Sequence, residues 1–420
     1  MPLVNGKLQF ALIGCGGMGQ GDANSQTRLG AKLVAACDIY TGRLERMKEV
    51  YGKDILATRD YREVLARPDI DSVIIATPDH WHGQISVDAL KAGKHVYCQK
   101  PMVQKIEQAY PVIEAFQKSG KVFQVGSQYV SSPIYNKAKE LIAKGVLGEL
   151  NMVEAWLDRN SALGAWQYSI PHDASPQTVD WDRFLGSAPK RPFEAMRLFR
   201  WRNYRDYGTG VAGDLFVHLI SGLHHATGAV GPNRIYATGG IRYWNDGRDV
   251  PDVMLATLDY PKTAQHPEFT LALRVNFASG EPDERFGFRF TGSEGTMTTS
   301  YNTLVLERVP REREPGLSIN TYPEAMQAEI RKEYEAKYPA GKAGDELRVP
   351  EATEEYTMRS NAHLEHHRNF LASVLDGKPM VEDAVFGLRA AGPALLCNES
   401  VYTSKIQRWD PVAMRVVAGS

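Results

Sequence analysis

No apolar run in this chain approaches the ~20 residues that a bilayer-spanning helix requires, which argues against a membrane partner. The opening residues, MPLVNGKLQF, lack the apolar core of a secretory leader. A cytoplasmic location is expected, with a trimmed leader left open. Neither sign of charge dominates: 49 Lys and Arg stand against 50 Asp and Glu, a net charge of −1. No basic stripe or tail stands out, which disfavours nucleic acids and anionic membranes as partners. Cysteine is scarce. Cys15, Cys37, Cys98 and Cys397 lie far apart with no C-x-x-C, and three of them sit inside apolar runs. That usage excludes a disulfide scaffold and reads as reduced core thiols. Internal repeats are absent too. What remains is a chain of 420 residues, long enough for two or three domains that each bury a core.

The first third alternates between two patterns. Short β-rich runs recur at 8–14, 32–38, 72–77, 95–100 and 122–127, separated by helix-like stretches such as Gly42–Tyr51, His82–Ala92 and Gln104–Ser119. The runs are almost continuously apolar, as strands are when helices cover both faces of a sheet. The expected fold class is α/β, with a doubly wound parallel sheet at the N-terminus. Ligands of such sheets bind beyond the carboxyl ends of the strands. The first run leads into GCGGMG, which places Gly14, Gly16 and Gly19 in G-x-G-x-x-G spacing with Gly17 and Met18 between them. Gly14 permits the tight turn, Gly16 lets backbone approach a pyrophosphate, and Gly19 lets helix and sheet pack closely. Asp38 ends the second run, 19 residues after Gly19, where a carboxylate can accept from ribose hydroxyls. It would repel a ribose phosphate, so NAD is favoured. Arg43 nearby keeps NADP open.

With these motifs in view the chain resembles the Gfo/Idh/MocA family, the relatives of glucose–fructose oxidoreductase and inositol dehydrogenase. The matching segments are GCGGMG (14–19), ATPDHWH (76–82), CQKP (98–101) and GDLFVHLI (213–220), with FTGSEGTM (290–297), HHRNFLASVLDGK (366–378) and 382–400 late in the chain. The likeness covers nearly the whole sequence and specifies no substrate. It implies a Rossmann domain over 1–128 and a substrate-binding and oligomerisation domain over 129–420, an α/β domain with a large open, mostly antiparallel sheet. Strand-like runs at Leu150–Leu157, Arg234–Tyr243, Val253–Tyr260, Phe269–Phe277 and Phe286–Thr291 fit such a sheet. Its outer face would need cover, so a homodimer or homotetramer is expected. Residues 309–360 turn polar and read as a solvated excursion rather than a lid.

The resemblance also implies a catalytic set: Lys100, Asp214 and His218. Asp214 and His218 are four apart in an apolar-periodic segment that reads as a helix, so both project from one face. Lys100 stands at a strand end before Pro101, which lacks an N–H and fixes φ. In the implied mechanism Lys100 stabilises the developing alkoxide, His218 is the general base and Asp214 orients the pair. Thr77, Pro78, His80, His82, Gln99 and Gln128 join the glycines, Asp38 and Lys100 as expected cofactor contacts. The family commonly carries Glu where this chain has Gln99, which removes a negative charge beside the nicotinamide.

Substrate contacts are drawn from the catalytic set together with Arg202, Tyr204 and Tyr207 in LFRWRNYRDYGTG (198–210) and with Arg159. Rings can stack on sugar C–H faces, and guanidinium groups can bind hydroxyls or a carboxylate; a packed structural loop is an equal reading. No metal is expected, because HLEHH (363–367) is not H-E-x-x-H and no acid stands at metal spacing. The function expected is NAD-dependent oxidation of a secondary hydroxyl on a sugar, glycoside or cyclitol. The alternatives are a redox-neutral NAD-dependent glycosidase or lyase and a ligand-sensing regulator. The segment GTGVAGD (208–214) has no histidine, which counts against the glycosidase. An intact Lys/Asp/His set counts against the regulator.

Overall fold

The computed structural model of the protein describes residues 8–281, 284–309, 315–339 and 352–417. Its first sheet contains β1 (Gln9–Ile13), β2 (Lys32–Cys37), β3 (Leu56–Thr58), β4 (Ser72–Ile75), β5 (His95–Cys98) and β6 (Phe123–Val125). All pairs are parallel and the order is β3-β2-β1-β4-β5-β6. The order reverses direction between β1 and β4, and crevices for ligands open at such a point. Every residue of β4 is buried, as expected where helices cover both faces. The five apolar runs read from the sequence are β1, β2, β4, β5 and β6 here. β3 was not foreseen: at three residues, only one of them buried, it carries almost no pattern.

The second sheet holds β7 (Leu150–Asp158), β8 (Arg234–Gly240), β9 (Val253–Tyr260), β10 (Phe269–Asn276), β11 (Arg285–Gly292), β12 (Gly295–Thr299), β13 (Thr303–Arg308), β14 (Ala352–Thr357), β15 (Gln407–Asp410) and β16 (Arg415–Val416). Its ten strands run in the order β14-β13-β12-β11-β7-β10-β9-β8-β15-β16. β7 and β10 pair in parallel, while β8 with β9 and β11 with β12 are antiparallel, so the sheet is mixed and mostly antiparallel. One face packs on helices Val217–Thr227 and Ala384–Thr403. The other leaves Tyr236 and Leu255 nearly half exposed.

Two connections tie the halves together. Helix Ala362–Asp376 packs back onto Gly17–Arg28, the first helix of the Rossmann sheet. The long segment after β7 forms a small core of its own around Phe184, Phe199, Tyr204 and Tyr207, joined by Tyr40. Backbone bonds from Asp180 N to Ile39 O (2.9 Å) and from Thr41 N to Thr178 O (3.0 Å) sew it to the end of β2. In the polar stretch 309–360, helix Glu324–Lys337 buries no residue, as a solvated excursion would, but 352–357 closes the sheet as the edge strand β14. Residues 310–314 and 340–351 of that stretch lie outside the described residues. All four cysteines are buried and free. Among the described residues no helix is long and apolar enough to cross a membrane.

Candidate active site

A cleft of about 480 Å³ opens at the carboxyl ends of β1, β2 and β4. Gly14, Gly16, Gly17, Met18, Asp38, Arg43, Thr77 and Pro78 line it, so the structure brings these sequence-predicted residues together. Gly14 has φ of +95°, and a Cβ there would meet the Ala76 backbone at 2.5 Å. Gly19 packs even closer, since its Cβ would lie 2.1 Å from Gly14 O. Gly16 caps the helix Gly17–Arg28 without any side-chain bond, and a Cβ on Gly17 would find nothing within 4 Å. No side chain caps the first-turn N–H groups, which leaves them for a ligand, the arrangement that receives a phosphate. Asp38 accepts from Cys15 N at 2.7 Å and from Tyr40 N at 2.9 Å, and Arg43 stands 3.6 Å from its carboxylate. Thr77 Oγ1 is buried on this wall with no protein partner. The glycine cradle, free amides, acid at the end of β2 and orphaned hydroxyl together fit a dinucleotide.

Beside the cleft lies a buried charged cluster. Lys100 stands two residues past the end of β5, and the peptide that joins it to Pro101 is cis. Its Nζ donates to Asp214 Oδ1 at 2.7 Å and to Asp214 O at 2.9 Å. Arg202 Nε donates to the same Oδ1 at 3.2 Å, and Arg202, stacked on Trp201, lines the cleft and so links cluster to cavity. The segment bearing Asp214 differs from the helix expected. Ala212–Phe216 is a π-helical turn that runs into the α-helix Val217–Thr227, where His218 sits. Gly213 is needed in that turn, because a Cβ would lie 2.2 Å from Thr209.

The electrostatics separate the roles. Burial works to raise the Asp214 carboxyl, but the Lys100 and Arg202 cations outweigh it and hold the group well below the usual carboxylate range. Burial pulls the Lys100 ammonium down, against the attraction of Asp214. His218 is pushed far below the ordinary imidazole range by burial and then by the Lys100 charge, so it is neutral. Its Nδ1 is buried with no partner, and the Tyr129 ring meets it edge-on at 5.0 Å between centroids.

Two neighbours were not singled out from the sequence. Asp79 opens the helix Asp79–Lys91, accepts from Thr209 Oγ1 at 2.6 Å and is pushed up to about 7 by burial and by Asp214. The signal was available: Asp79 follows Thr77 and Pro78 at the helix start beyond β4. Tyr129, next to Gln128, was the other. Gln128 and Tyr129 line a second cavity of about 450 Å³, and Gln128 Oε1 is buried without a partner.

Other expected contacts lie elsewhere. His80 places its ring nitrogens 2.7 Å from Phe184 O and 3.3 Å from Tyr207 O, and His82 bridges Pro101 O (2.7 Å) and Thr77 O (2.9 Å). Burial draws both down to about 4. They are internal struts that brace the cleft loops from behind. Tyr204 and Tyr207 are buried in the small core after β7, which matches the packed-loop reading rather than a sugar platform. Arg159 pairs with Glu284 and donates to Gly164 O at 3.1 Å, close enough to the cluster to act on the charges of Asp214 and His218. Gln99 points away from the cleft wall, its Nε2 2.9 Å from Asp22 Oδ2. Asp22 also receives His363 and His367, the outer histidines of HLEHH. The acid that sequence spacing failed to supply comes from 341 residues upstream.

Residues 8–127 match the family described as "Oxidoreductase family, NAD-binding Rossmann fold", and residues 139–409 match its C-terminal alpha/beta domain. Among curated proteins, an inositol 2-dehydrogenase of Salmonella paratyphi B is 32% identical over 149 residues, 35% of this chain and 44% of that one. A levoglucosan dehydrogenase of Pseudarthrobacter phenanthrenivorans is 33% identical over 202 residues, 42% of this chain and 51% of that one. The chain thus spans about half the length of the curated relatives it matches. A solved levoglucosan dehydrogenase in complex with NADH and levoglucosan superposes with a TM-score of 0.66 at 18% identity, covering 95% of this chain and 98% of that one. At that identity the likeness is one of fold.

Proposed function

The chain belongs to the Gfo/Idh/MocA oxidoreductase family, and from that premise we propose that it oxidises a secondary hydroxyl of a sugar, glycoside or cyclitol with NAD. The observation that carries the reading is the buried Lys100–Asp214 pair beside an unpartnered, neutral His218. An ammonium has three protons to donate. Two of them go to Asp214, through Oδ1 and the carbonyl O. The third is left for a substrate oxygen, where it stabilises the charge that develops as the hydroxyl proton leaves. That proton passes to a ring nitrogen of His218, whose burial and cationic neighbour keep its lone pair available. Asp214 holds Lys100 in place and, with Arg202, fixes the direction of the third N–H. NAD, when bound, supplies the hydride acceptor; Gly14, Gly16, Gly17, Asp38 and Thr77 would hold it.

The reading extends to organisation. Residues 1–128 serve the cofactor and 129–420 the substrate. The open face of the large sheet, with Tyr236, Leu255 and Met152 on it, is covered by a second copy in a homo-oligomer.

The test is to incubate the protein with NAD and a panel of cyclitols, free sugars and glycosides, following NADH absorbance and analysing products. Net NADH with a keto product is the expected result. Aglycone release without net NADH would replace this reading with the redox-neutral route.

A further inference from the structure

Away from the reacting cluster, one set of side chains has the composition and placement of a metal centre. Asp22 Oδ1 lies 2.7 Å from His363 Nε2 and 3.0 Å from His367 Nε2, and the three ligand atoms lie within 4.8 Å of one another. We propose that Asp22, His363 and His367 bind a divalent transition metal ion of the zinc type, pinning the C-terminal helix to the first helix of the Rossmann sheet.

Four observations carry this. The donor set, two imidazoles and one carboxylate, suits Zn²⁺ and its neighbours in the first transition row. The supports are rigid: the histidines stand four apart on one face of the 15-residue helix Ala362–Asp376, and Asp22 stands on the 12-residue helix Gly17–Arg28 packed against it.

Each imidazole also has a group at its outer nitrogen. Ser25 Oγ is 3.4 Å from His363 Nδ1, and the Gln26 amide is 3.5 Å from His367 Nδ1. Gln26 Oε1 is buried with no partner. Turning that amide over would let Oε1 accept from His367 Nδ1–H, the outer bond that fixes a metal-ligating imidazole. The Gln99 amide, already on Asp22 at 2.9 Å, is placed so that its oxygen can turn in as a fourth ligand. Finally, there is a way in. Asp22 and His367 are fully buried, but the His363 side chain is 26% exposed and borders the second cavity beside Asn361 and Gln128. The competing description is a hydrogen-bonded strut, with both imidazoles donating to one carboxylate.

The experiment treats the full-length protein with a chelator, removes the chelator and titrates with Zn²⁺ or Co²⁺ alone. One equivalent is expected to bind. Co²⁺ should give visible ligand-field bands, and saturating Zn²⁺ should raise Tm by more than about 3 °C. The variant His363→Ala, at the most exposed of the three positions, should lose the bands and the rise while keeping the native circular dichroism spectrum. Asp22→Asn should do the same. An unchanged Tm with no stoichiometric binding would leave only the strut, and an equal response in His363→Ala would place the ion elsewhere. Either result overturns the proposal, and neither depends on the protein being a dehydrogenase.

Discussion

Asp214 and Asp22 are both buried carboxylates with histidines nearby on a packed helix, yet their surroundings give the histidines opposite characters. Around Asp214 the donors are cations, Lys100 at 2.7 Å and Arg202 at 3.2 Å, so the carboxylate is consumed by them and His218 keeps an unpartnered Nδ1. Around Asp22 the donors are His363 and His367 themselves, with the Gln99 amide, and no lysine or arginine is bonded to it among the described residues. Burial would raise Asp22, but the two histidine bonds outweigh it and hold it down. The lesson is about what a carboxylate spends its lone pairs on. Where cations take them, the imidazole is free to move a proton; where imidazoles take them, the group is a brace or a ligand set.

The sharpest way to break this contrast is Lys100→Ala. It removes the third N–H and should lower kcat by about a hundred- to a thousand-fold, while NAD binding, followed by fluorescence titration, persists. Near-normal turnover would remove Lys100 from the chemistry and erase the distinction.

A smaller effect is expected at Asp79, which sits between the two types. Its folded value of about 7 lies above the 3.8 of an exposed carboxyl. Between roughly pH 4 and 7 the unfolded chain releases this proton while the folded chain keeps it, so stability falls as pH rises. Asp79→Asn should abolish that fall, gaining on the order of a few kcal/mol at pH 8 relative to pH 4 against the parent chain. Denaturant titrations at the two pH values measure it; parallel curves would mean the carboxyl is not held protonated.

Smallest is Asp22→Asn without added metal. It exchanges a charged acceptor of two imidazole bonds for a neutral one and should cost about 1–3 kcal/mol, read as a drop in Tm. No drop would show that the histidine bonds to Asp22 contribute nothing to folding.

How much of this was legible depended on where the information lay. β1, β2, β4 and β5 could be read because each is a nearly unbroken apolar run, and the glycine turn because its steric demands are local: Gly14 against Ala76, Gly19 against Gly14. Short strands near the sheet edge such as β15 and β16 gave no pattern, since only one of their six residues is buried. The Lys100, Asp214 and His218 set was legible only by resemblance, since 114 residues separate the lysine from the aspartate. Asp22 with His363 was beyond reach for the same reason, and the family likeness did not point to it. Tyr204 and Tyr207 left two equal readings because an aromatic, arginine-rich loop looks the same whether it faces a sugar or packs on Tyr40 and Phe184.

The π-helical turn at Ala212–Phe216 sets how this centre can be dismantled. Such a turn carries one residue more than the regular spiral. Most single replacements keep the reading frame of the spiral intact. Deleting one position from it would let the segment relax to ordinary winding and swing the Asp214 carboxylate about 100° around the axis, away from its lysine. Apart from Gly213 and Asp214 themselves, the turn is thus more vulnerable to the loss of a codon than to a change in one.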